Sequence, residues 1–559
     1  MKHMRALRIA SALVAIGGIG LMCWLLVLDA AEFRALVQRC YGYGPVPSYP
    51  DKLPLPSVGR LALAALPWVL AACAVALWPW LAASLRTAVM GAWRLCREAM
   101  ADTWALMPRW ERWWSITAVI GCTVIRCYLA VTDPPVFDEA LNWLLFAEHG
   151  PLVSLTFYAA PNNHIGATML SAIVGLLPVD PLLALRAPTV VAALFLQAGL
   201  YLLVRRLASP MAAVLASAFA MAAPVLLYHD HLGRGYVPVV LAFTMAFGAA
   251  ARWLMARDER GLWLLGIACS AGTFVMPSFL YAGAGLFAAL MIIDGGRRRV
   301  LSAALWSAFT IAVLYAPAVI VSGAGAFVDN PWVRPVGAAA VAEAWWPHFS
   351  RTFEGLLGAP HGFALAVLLL VAGLLLAPNR ERPVAIMAVI VMGISLVIPF
   401  IHGVLPFERT WIHLIIPLAV ALALVADRGL ARFRFPQAAI PAAMALFAFQ
   451  LKGTREVFPR IERDAFRVME AMVLLQAEKP GRIRAWAQPL STYSCFAWKR
   501  GLLPEGCDFA YSSTTEVEPG IVVIGRKSEF DPDRGDRMLF TYEGADAIWV
   551  RGPAIHEQP

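Results

Sequence analysis

The chain of 559 residues is 60% hydrophobic and only 15% charged, with a mean hydropathy of +0.66. Soluble globular proteins carry more charge and disordered chains carry fewer apolar residues, so both classes are excluded and a polytopic membrane protein remains. The net charge of +9 would also suit a nucleic-acid-binding protein, but in a membrane protein such an excess retains cytoplasmic loops inside, so we expect no nucleic-acid partner.

Thirteen apolar stretches are candidates for membrane-spanning helices, which need about 20 residues each. They are residues 9–28, 61–83, 115–131, 187–204, 211–227, 237–255, 261–276, 277–293, 300–321, 362–377, 384–400, 411–426 and 437–451. The two stretches that meet at Pro277 could instead form one re-entrant element. The sequence therefore predicts an all-α polytopic membrane protein with about 13 transmembrane helices.

The distribution of basic residues predicts the orientation of the chain. Clusters such as Arg205-Arg206 and Arg297-Arg298-Arg299 fall on one side of the predicted bilayer, which we assign to the cytoplasm. The apolar stretch Asn163–Pro178 is short and would break this alternation, so we predict that it lies at the outer interface, in series with a helix at about 138–149. The protein is expected in the inner membrane, with residues 452–559 in the periplasm.

Three regions follow from these patterns. Residues 1–114 form an N-terminal extension of two spans and a basic cytoplasmic loop, and residues 115–451 form a transmembrane module with an outer loop at 132–186. Residues 452–559 are more polar and predict a small α/β domain, with a helix over 459–478 and strands at Ile521–Ile524 and Ala547–Val550. Cys495 and Cys507 could form a disulfide in this oxidising compartment, or remain two thiols.

Four polar groupings lie in the predicted outer loops. They are Asp133 with Asp138-Glu139; Asn162-Asn163-His164; Tyr228-His229-Asp230-His231 with Arg234 and Tyr236; and Glu408-Arg409. The chemistry of these four groupings was not used to assign the two sides of the membrane. The placement of all four groupings on one side is therefore an independent indication of a single site. Each grouping also has a structural interpretation, as a helix cap or a boundary residue. Arg126, inside a predicted span, is either functional or a structural ion-pair partner.

Together the groupings suit transfer of a glycosyl group from a lipid phosphate. Such a reaction needs a carboxylate to deprotonate or orient the acceptor, and Asp138 and Asp230 are candidates. It also needs positive charge for the leaving phosphate, for which Arg234 and Arg409 are candidates. Asp138 and Asp230 could also hold a divalent ion, Mg or Mn on oxygen ligands alone, or Zn if His164 or His231 is added.

At these residues the chain resembles the GT-C glycosyltransferases, specifically the protein-mannosyltransferase-like family 39 that includes aminoarabinose transferases of lipid A. The resembling strings occur in order over roughly residues 115–450: Phe137-Asp138-Glu139-Ala140; Asn162-Asn163-His164; Leu185-Arg186-Ala187-Pro188; Gly233-Arg234-Gly235-Tyr236; and Glu408-Arg409-Thr410-Trp411. The chain departs from many relatives at Asn163-His164-Ile165, where they carry His-Pro-Pro or Lys-Pro-Pro. This departure affects the metal ligands that the resemblance would imply.

The resemblance implies a GT-C fold and a membrane enzyme that moves a sugar from a polyprenyl-phosphate donor to a lipid, glycan or protein acceptor outside the membrane, with no nucleotide cofactor. It implies catalytic roles for Asp138, Glu139 and Asp230. Substrate-binding roles are assigned to Asn163, His164, Arg234, Tyr236 and Arg409. A transporter or flippase of lipid-linked glycans, which would show inverted repeats, is an alternative. A non-catalytic envelope assembly subunit is another.

Overall fold

The computed structural model describes residues 90–158, 161–322, 325–328, 335–430, 440–445, 448, 459–485, 490–503, 507–511, 518–534, 536–542 and 546–551. Two predicted spans, 9–28 and 61–83, lie outside the described residues, as does most of the stretch 437–451.

The helices of the membrane region follow one another with short connections. They are α1 (Arg109–Thr132), α2 (Phe137–Leu145), α3 (Pro151–Thr156), α4 (Ile165–Val174), α5 (Pro181–Leu207), α6 (Pro210–Met221), α7 (Pro224–His229), α8 (Tyr236–Ala256), α9 (Glu259–Val275), α10 (Phe279–Ile293), α11 (Arg297–Ser322), α12 (Gly325–Val328), α13 (Ala338–Leu357), α14 (Gly362–Leu376), α15 (Arg382–His402) and α16 (Ile415–Leu430). Residues 90–106 are also helical, and 3₁₀ turns occupy Ala147–His149 and Glu408–Leu414.

Within the described residues, six helices are long and apolar enough to cross a membrane, or seven if α13 and α14, bent by 70° at their junction, form one span. The predicted count of about 13 is therefore not confirmed. Besides the stretches outside the described residues, the predicted span 211–227 is divided into α6 and α7 because Pro224 starts a new helix. The predicted spans 261–276 and 277–293 are the shorter helices α9 and α10.

Local sequence signals set several helix boundaries. Proline occupies the first helical position of α5, α6 and α7, where its missing N–H costs nothing. Asp180 caps α5 by accepting a hydrogen bond from the backbone N–H of Leu182. Gly358 and Gly403 follow α13 and α15 with φ of 63° and 69°, the left-handed conformation that ends many helices.

The C-terminal region is a small α/β unit, as the sequence predicts. It contains α17 (Pro459–Glu478), β1 (Arg482–Ala485), α18 (Leu490–Lys499), β2 (Asp508–Tyr511), β3 (Val522–Arg526), β4 (Arg537–Tyr542) and β5 (Asp546–Val550). The five strands are ordered β2-β1-β3-β5-β4, with β1 parallel to β2 and β3, and with β5 antiparallel to β3 and β4. Short 3₁₀ turns at Lys527–Glu529 and Pro532–Arg534 connect β3 to β4.

Two hydrophobic clusters organise the molecule. The larger one fills the helix bundle, and the second is shared between the loop 132–186 and the C-terminal domain. Trp143 and Leu185 from the membrane region pack in the same cluster as Phe496 and Ile548. The C-terminal domain is therefore docked on this loop by a continuous apolar core.

The predicted disulfide between Cys495 and Cys507 is not formed in the structure. Both side chains are buried thiols in the cluster shared with the loop 132–186. Burial raises the pKa of the Cys507 thiol, with a further contribution from the adjacent Asp508 carboxylate. Because the apolar cluster already encloses both sulfurs, they fill space as small hydrophobic side chains do.

Candidate functional site

A cavity of about 570 Å³ opens where the loop 132–186, the segment Tyr228–Tyr236 and the 3₁₀ turn Glu408–Leu414 meet. Its charged lining consists of three arginines and two carboxylates, namely Arg234, Arg351, Arg409, Asp138 and Glu408. Aromatic rings and aliphatic side chains form the rest of the wall. Three of the four polar groupings found in the sequence thus contribute to one cavity.

Asp138 lies at the centre of the polar part of this cavity. Its Oδ2 is 3.1 Å from Nη2 of Arg409 and 3.3 Å from Nη2 of Arg234. The Asp138 carboxylate is 30% exposed, whereas Arg234 is buried and Arg409 is 37% exposed. The ring of Tyr236 stacks beside both guanidinium groups, each with its Cζ 5.8 Å from the ring centroid. Asp138 is consequently an accessible carboxylate held between two arginines.

The polar part of the cavity carries more positive charge than its carboxylates compensate. Nε of Arg234 and Nε of Arg409 are buried and have no hydrogen-bond partner among the described residues. Burial, and then the charges of Arg409 and Arg234, hold the pKa of His229 well below its usual value, so this wall residue is neutral. Buried N–H donors without an acceptor are costly, so the two arginines beside Asp138 retain unused hydrogen-bonding capacity.

His164 and Asn163 stand behind the cavity. Nδ1 of His164 accepts a hydrogen bond of 2.8 Å from the backbone N–H of Gly235, and burial followed by the charge of Arg234 holds the pKa of His164 well below its usual value. Asn163 donates to the backbone oxygens of Ser154 and Phe157. Neither side chain lines the cavity. The neighbouring Asn162 contacts two residues of the cavity wall instead, since its Oδ1 accepts from Arg234 and its Nδ2 donates to the backbone oxygen of Asp138.

Glu139, the neighbour of Asp138, points the other way. It is fully buried and forms a two-pronged ion pair with Arg186, at 2.9 Å from Nε and 2.7 Å from Nη2. It also accepts from the backbone N–H groups of Gly233 and Val136. Burial alone would raise the pKa of Glu139, but the Arg186 charge and these hydrogen bonds outweigh burial and lower it. Glu139 does not line the cavity, and its predicted catalytic role stays a prediction.

Asp230 belongs to a buried polar chain rather than to the cavity wall. Its Oδ2 accepts from Nε of Arg126 at 2.7 Å, and its Oδ1 is 3.2 Å from Nδ1 of His231. The other ring nitrogen of His231 is 2.8 Å from the carboxylate of Asp133. Burial alone would lower the pKa of His231, but the two carboxylates raise it to about 9. Nη1 of Arg126 also donates to Oε1 of Gln197, so the guanidinium group of this intramembrane arginine is held by two side chains.

The candidate metal ligands do not form one ligand set. In the described part of the chain no group of three or more His, Cys, Asp and Glu side chains is arranged to hold a metal ion. Asp138 faces two arginines, Asp230 faces Arg126, and His164 is used by Gly235. These residues therefore do not form the predicted ligand set for a divalent ion.

Several residues of the site had no role assigned from the sequence. Arg186 occurs in a string that resembles the family, but nothing in the string shows that it clamps Glu139. Arg351 pairs with Glu408 at 3.0 Å across the cavity wall. Tyr493 reaches the cavity from the C-terminal domain. The hydrophobic pattern of α18 offers no signal for such a contact.

Comparison with solved structures identifies the fold. No family model and no curated protein matches the chain. Among solved structures, ArnT from Cupriavidus metallidurans in the apo state is similar over 78% of this chain and 97% of its own length, with 11% identity and a TM-score of 0.54. ArnT from the same organism bound to undecaprenyl phosphate has 13% identity, the same coverage and a TM-score of 0.49.

A third similar structure is the archaeal oligosaccharyltransferase AglB from Archaeoglobus fulgidus, in complex with an inhibitory peptide and a dolichol-phosphate. It is 15% identical, covers 66% of this chain and 58% of its own, and has a TM-score of 0.39. The similarity to apo ArnT, which extends over nearly that whole protein, is the one that establishes the architecture. This chain therefore has the GT-C fold, the fold of a superfamily of membrane glycosyltransferases.

Proposed function

We propose that the protein is a membrane glycosyltransferase that moves a sugar from a polyprenyl-phosphate donor to a lipid, glycan or protein acceptor at the periplasmic face of the inner membrane. The observation that carries this proposal is the 30% exposed carboxylate of Asp138 between Arg234 and Arg409, beside two buried guanidinium N–H groups that lack an acceptor among the described residues. The fold and the resemblance in sequence point to the same reaction class.

The arrangement suits the binding of a donor phosphate. Arginine presents paired N–H donors that match the oxygens of a phosphate group, and two such side chains flank the cavity. The unpartnered Nε atoms add donors that Asp138 does not use. When a phosphate takes up the guanidinium groups, Asp138 loses its two partners and becomes available to the acceptor.

Residues of this chain can then stabilise the leaving phosphate and accept the proton that the transfer releases. The acceptor hydroxyl oxygen attacks the anomeric carbon of the sugar, and the bond between that carbon and the phosphate oxygen breaks. The electron pair leaves with the polyprenyl phosphate, whose charge Arg234 and Arg409 neutralise. The acceptor proton goes to the carboxylate of Asp138. Attack opposite the leaving phosphate inverts the configuration at the anomeric carbon.

Two measurements test the proposal. Mass spectrometry of envelope lipids and glycans compares cells that lack the protein with cells that carry the wild type or Asp138→Asn. We expect a mass difference of one sugar that depends on the protein, and a loss of at least about 100-fold in Asp138→Asn, the usual size of a lost general base. Binding of undecaprenyl phosphate to the purified protein, followed by thermal stabilisation, should weaken about tenfold or more in Arg409→Ala, since hydrogen bonds to charged groups are lost.

Asp508→Asn is the matched control, because Asp508 also pairs with an arginine at 2.9 Å but is exposed in the C-terminal domain. It should leave both measurements unchanged. A wild-type protein that neither changes the envelope mass spectrum nor binds undecaprenyl phosphate would contradict the proposal. Normal transfer by Asp138→Asn would contradict the role given to that carboxylate.

A further inference from the structure

The C-terminal domain forms part of the cavity wall. Tyr493 of α18 lines the same cavity as Asp138, although the two residues are far apart in the chain. The ring of Tyr493 meets that of Phe137, the residue before Asp138, edge to face with 6.0 Å between centroids. The cavity is therefore completed by the domain and not by the membrane region alone.

Two ion pairs hold α18 in this position. Nε of Arg500 lies 3.2 Å and 3.0 Å from the two carboxylate oxygens of Asp180, at the start of α5. Nζ of Lys499 lies 2.5 Å from Oε1 of Glu148, which follows α2. All four side chains are at least two-thirds buried, so solvent screens these pairs less than it screens surface pairs. The pairs flank the shared apolar cluster and fix the orientation of the helix that carries Tyr493.

We infer that Tyr493 is an acceptor-side contact, through which the C-terminal domain selects the hydroxyl-bearing group that receives the sugar. The inference rests on the proposed function and names which substrate this part of the site recognises. The polyprenyl chain of a donor must stay among the spans, so its phosphate reaches the arginines from the bilayer. The wall that the C-terminal domain contributes, where α18 packs on the loop 132–186, is then left for the acceptor.

The chemistry of tyrosine fits this role. A tyrosine offers a large, rigid apolar ring together with a hydroxyl that can donate or accept a hydrogen bond. Beside the carboxylate of Asp138, such a ring supports the acceptor group while its hydroxyl oxygen approaches the reacting centre. Correct placement of two reactants accounts for a large part of enzymatic rate enhancement. Loss of the Tyr493 ring would therefore slow transfer without weakening the binding of the donor.

The decisive variants are Tyr493→Ala and Tyr493→Phe in the full-length protein. Tyr493→Ala should bind undecaprenyl phosphate within about twofold of the wild type, while the sugar-modified product in cells falls about tenfold, the scale of a lost aromatic contact. Tyr493→Phe keeps the ring and should retain at least half of the product. Arg482→Ala is the matched control, since it removes an exposed ion pair from the same domain.

Docking is tested separately with the pair Lys499 and Glu148. Lys499→Glu and Glu148→Lys each place like charges together and should lower the product, and the double exchange should restore it. Asp180 is less suited to such an exchange, because it also caps α5. Restoration in the double variant would show that the contact itself matters.

Different failures identify different errors. Normal product from Tyr493→Ala, or a double exchange that restores nothing, would overturn the inference while leaving the proposed function intact. If Tyr493→Ala weakened the binding of undecaprenyl phosphate as strongly as Arg409→Ala does, the ring would contact the donor, and the inference would be wrong. Failure of the wild type to bind undecaprenyl phosphate or to change the envelope would overturn the proposed function and the inference together.

Discussion

The ion pair between Glu139 and Arg186 offers the sharpest test of how the site is built. Oε1 of Glu139 accepts from Nε of Arg186 and from the backbone N–H of Gly233, and Oε2 accepts from Nη2 of Arg186 and from the N–H of Val136. Each oxygen therefore faces two donors. In Glu139→Gln the amide nitrogen replaces one oxygen, and in either rotation it places a donor against two donors.

The cost of this substitution can be worked from the burial. Both side chains are fully buried, so removal of the negative charge leaves the Arg186 guanidinium uncompensated. Breaking one partner of a buried ion pair costs about 3–5 kcal/mol. Arg186 also donates to the backbone oxygens of Ala130, Asp133 and Pro134, so it cannot move towards solvent without giving up those bonds. We expect a loss near the upper end of that range.

Thermal unfolding of the purified protein in detergent, followed by tryptophan fluorescence, measures the effect. Glu518→Gln is the matched control, because Glu518 is 75% exposed in its pair with Arg482, and exposed pairs contribute about 0–1 kcal/mol. We expect a clearly lower unfolding midpoint for Glu139→Gln and no change for the control. An unchanged midpoint together with lost transfer would refute the reasoning and return Glu139 to a catalytic role.

Two further predictions concern the residues around the cavity. The pKa of His231 is raised from its usual 6.5 to about 9, so its protonation stabilises the fold fully below pH 6.5, and this contribution is lost as the pH rises through about 9. Unfolding measured between pH 6 and pH 10 should show that the wild type loses unfolding free energy on the order of 3 kcal/mol, whereas that of His231→Gln stays constant with pH. The same pH dependence in both proteins would contradict this assignment. In Gly235→Ala, the new Cβ would lie 2.8 Å from Nδ1 of His164, so the loop must shift and the midpoint should fall. Gly295→Ala, where a Cβ meets nothing within 4 Å, is its control, and an equal effect of the two would refute the steric argument.

The sequence was sufficient to predict the class of fold and the segments that carry the site. Charge is scarce in an apolar chain, so Asp138, Arg234 and Arg409 were conspicuous, and the basic loops predicted that they lie on one side of the membrane. The structure brings these three together. The two N-terminal spans and the three-region division of the chain remain predictions.

The roles of neighbouring carboxylates could not be read from the sequence. Asp138 and Glu139 are adjacent on one helix, and adjacent helical residues point about 100° apart, so one faces the cavity and the other the interior. Which one does so depends on Arg186, which is 47 positions from Glu139. The role of Asp230 could not be predicted for the same reason, because its partner Arg126 is 104 positions away. Long-range ion pairs leave no periodic signal in the chain.

Buried charges in this protein are compensated in two ways. The difference separates structural residues from those that meet a ligand. Glu139 with Arg186, and Asp230 with Arg126 and His231, are closed groups whose charges are matched by protein partners. A membrane protein that buries an ion must compensate it, and these groups do so within the fold. The cavity is different, because three arginines face two carboxylates there, and the two guanidinium groups beside Asp138 keep unused donors. Among the described residues, the surplus of positive charge therefore lies at the cavity, which is the position expected for the phosphate of the proposed donor.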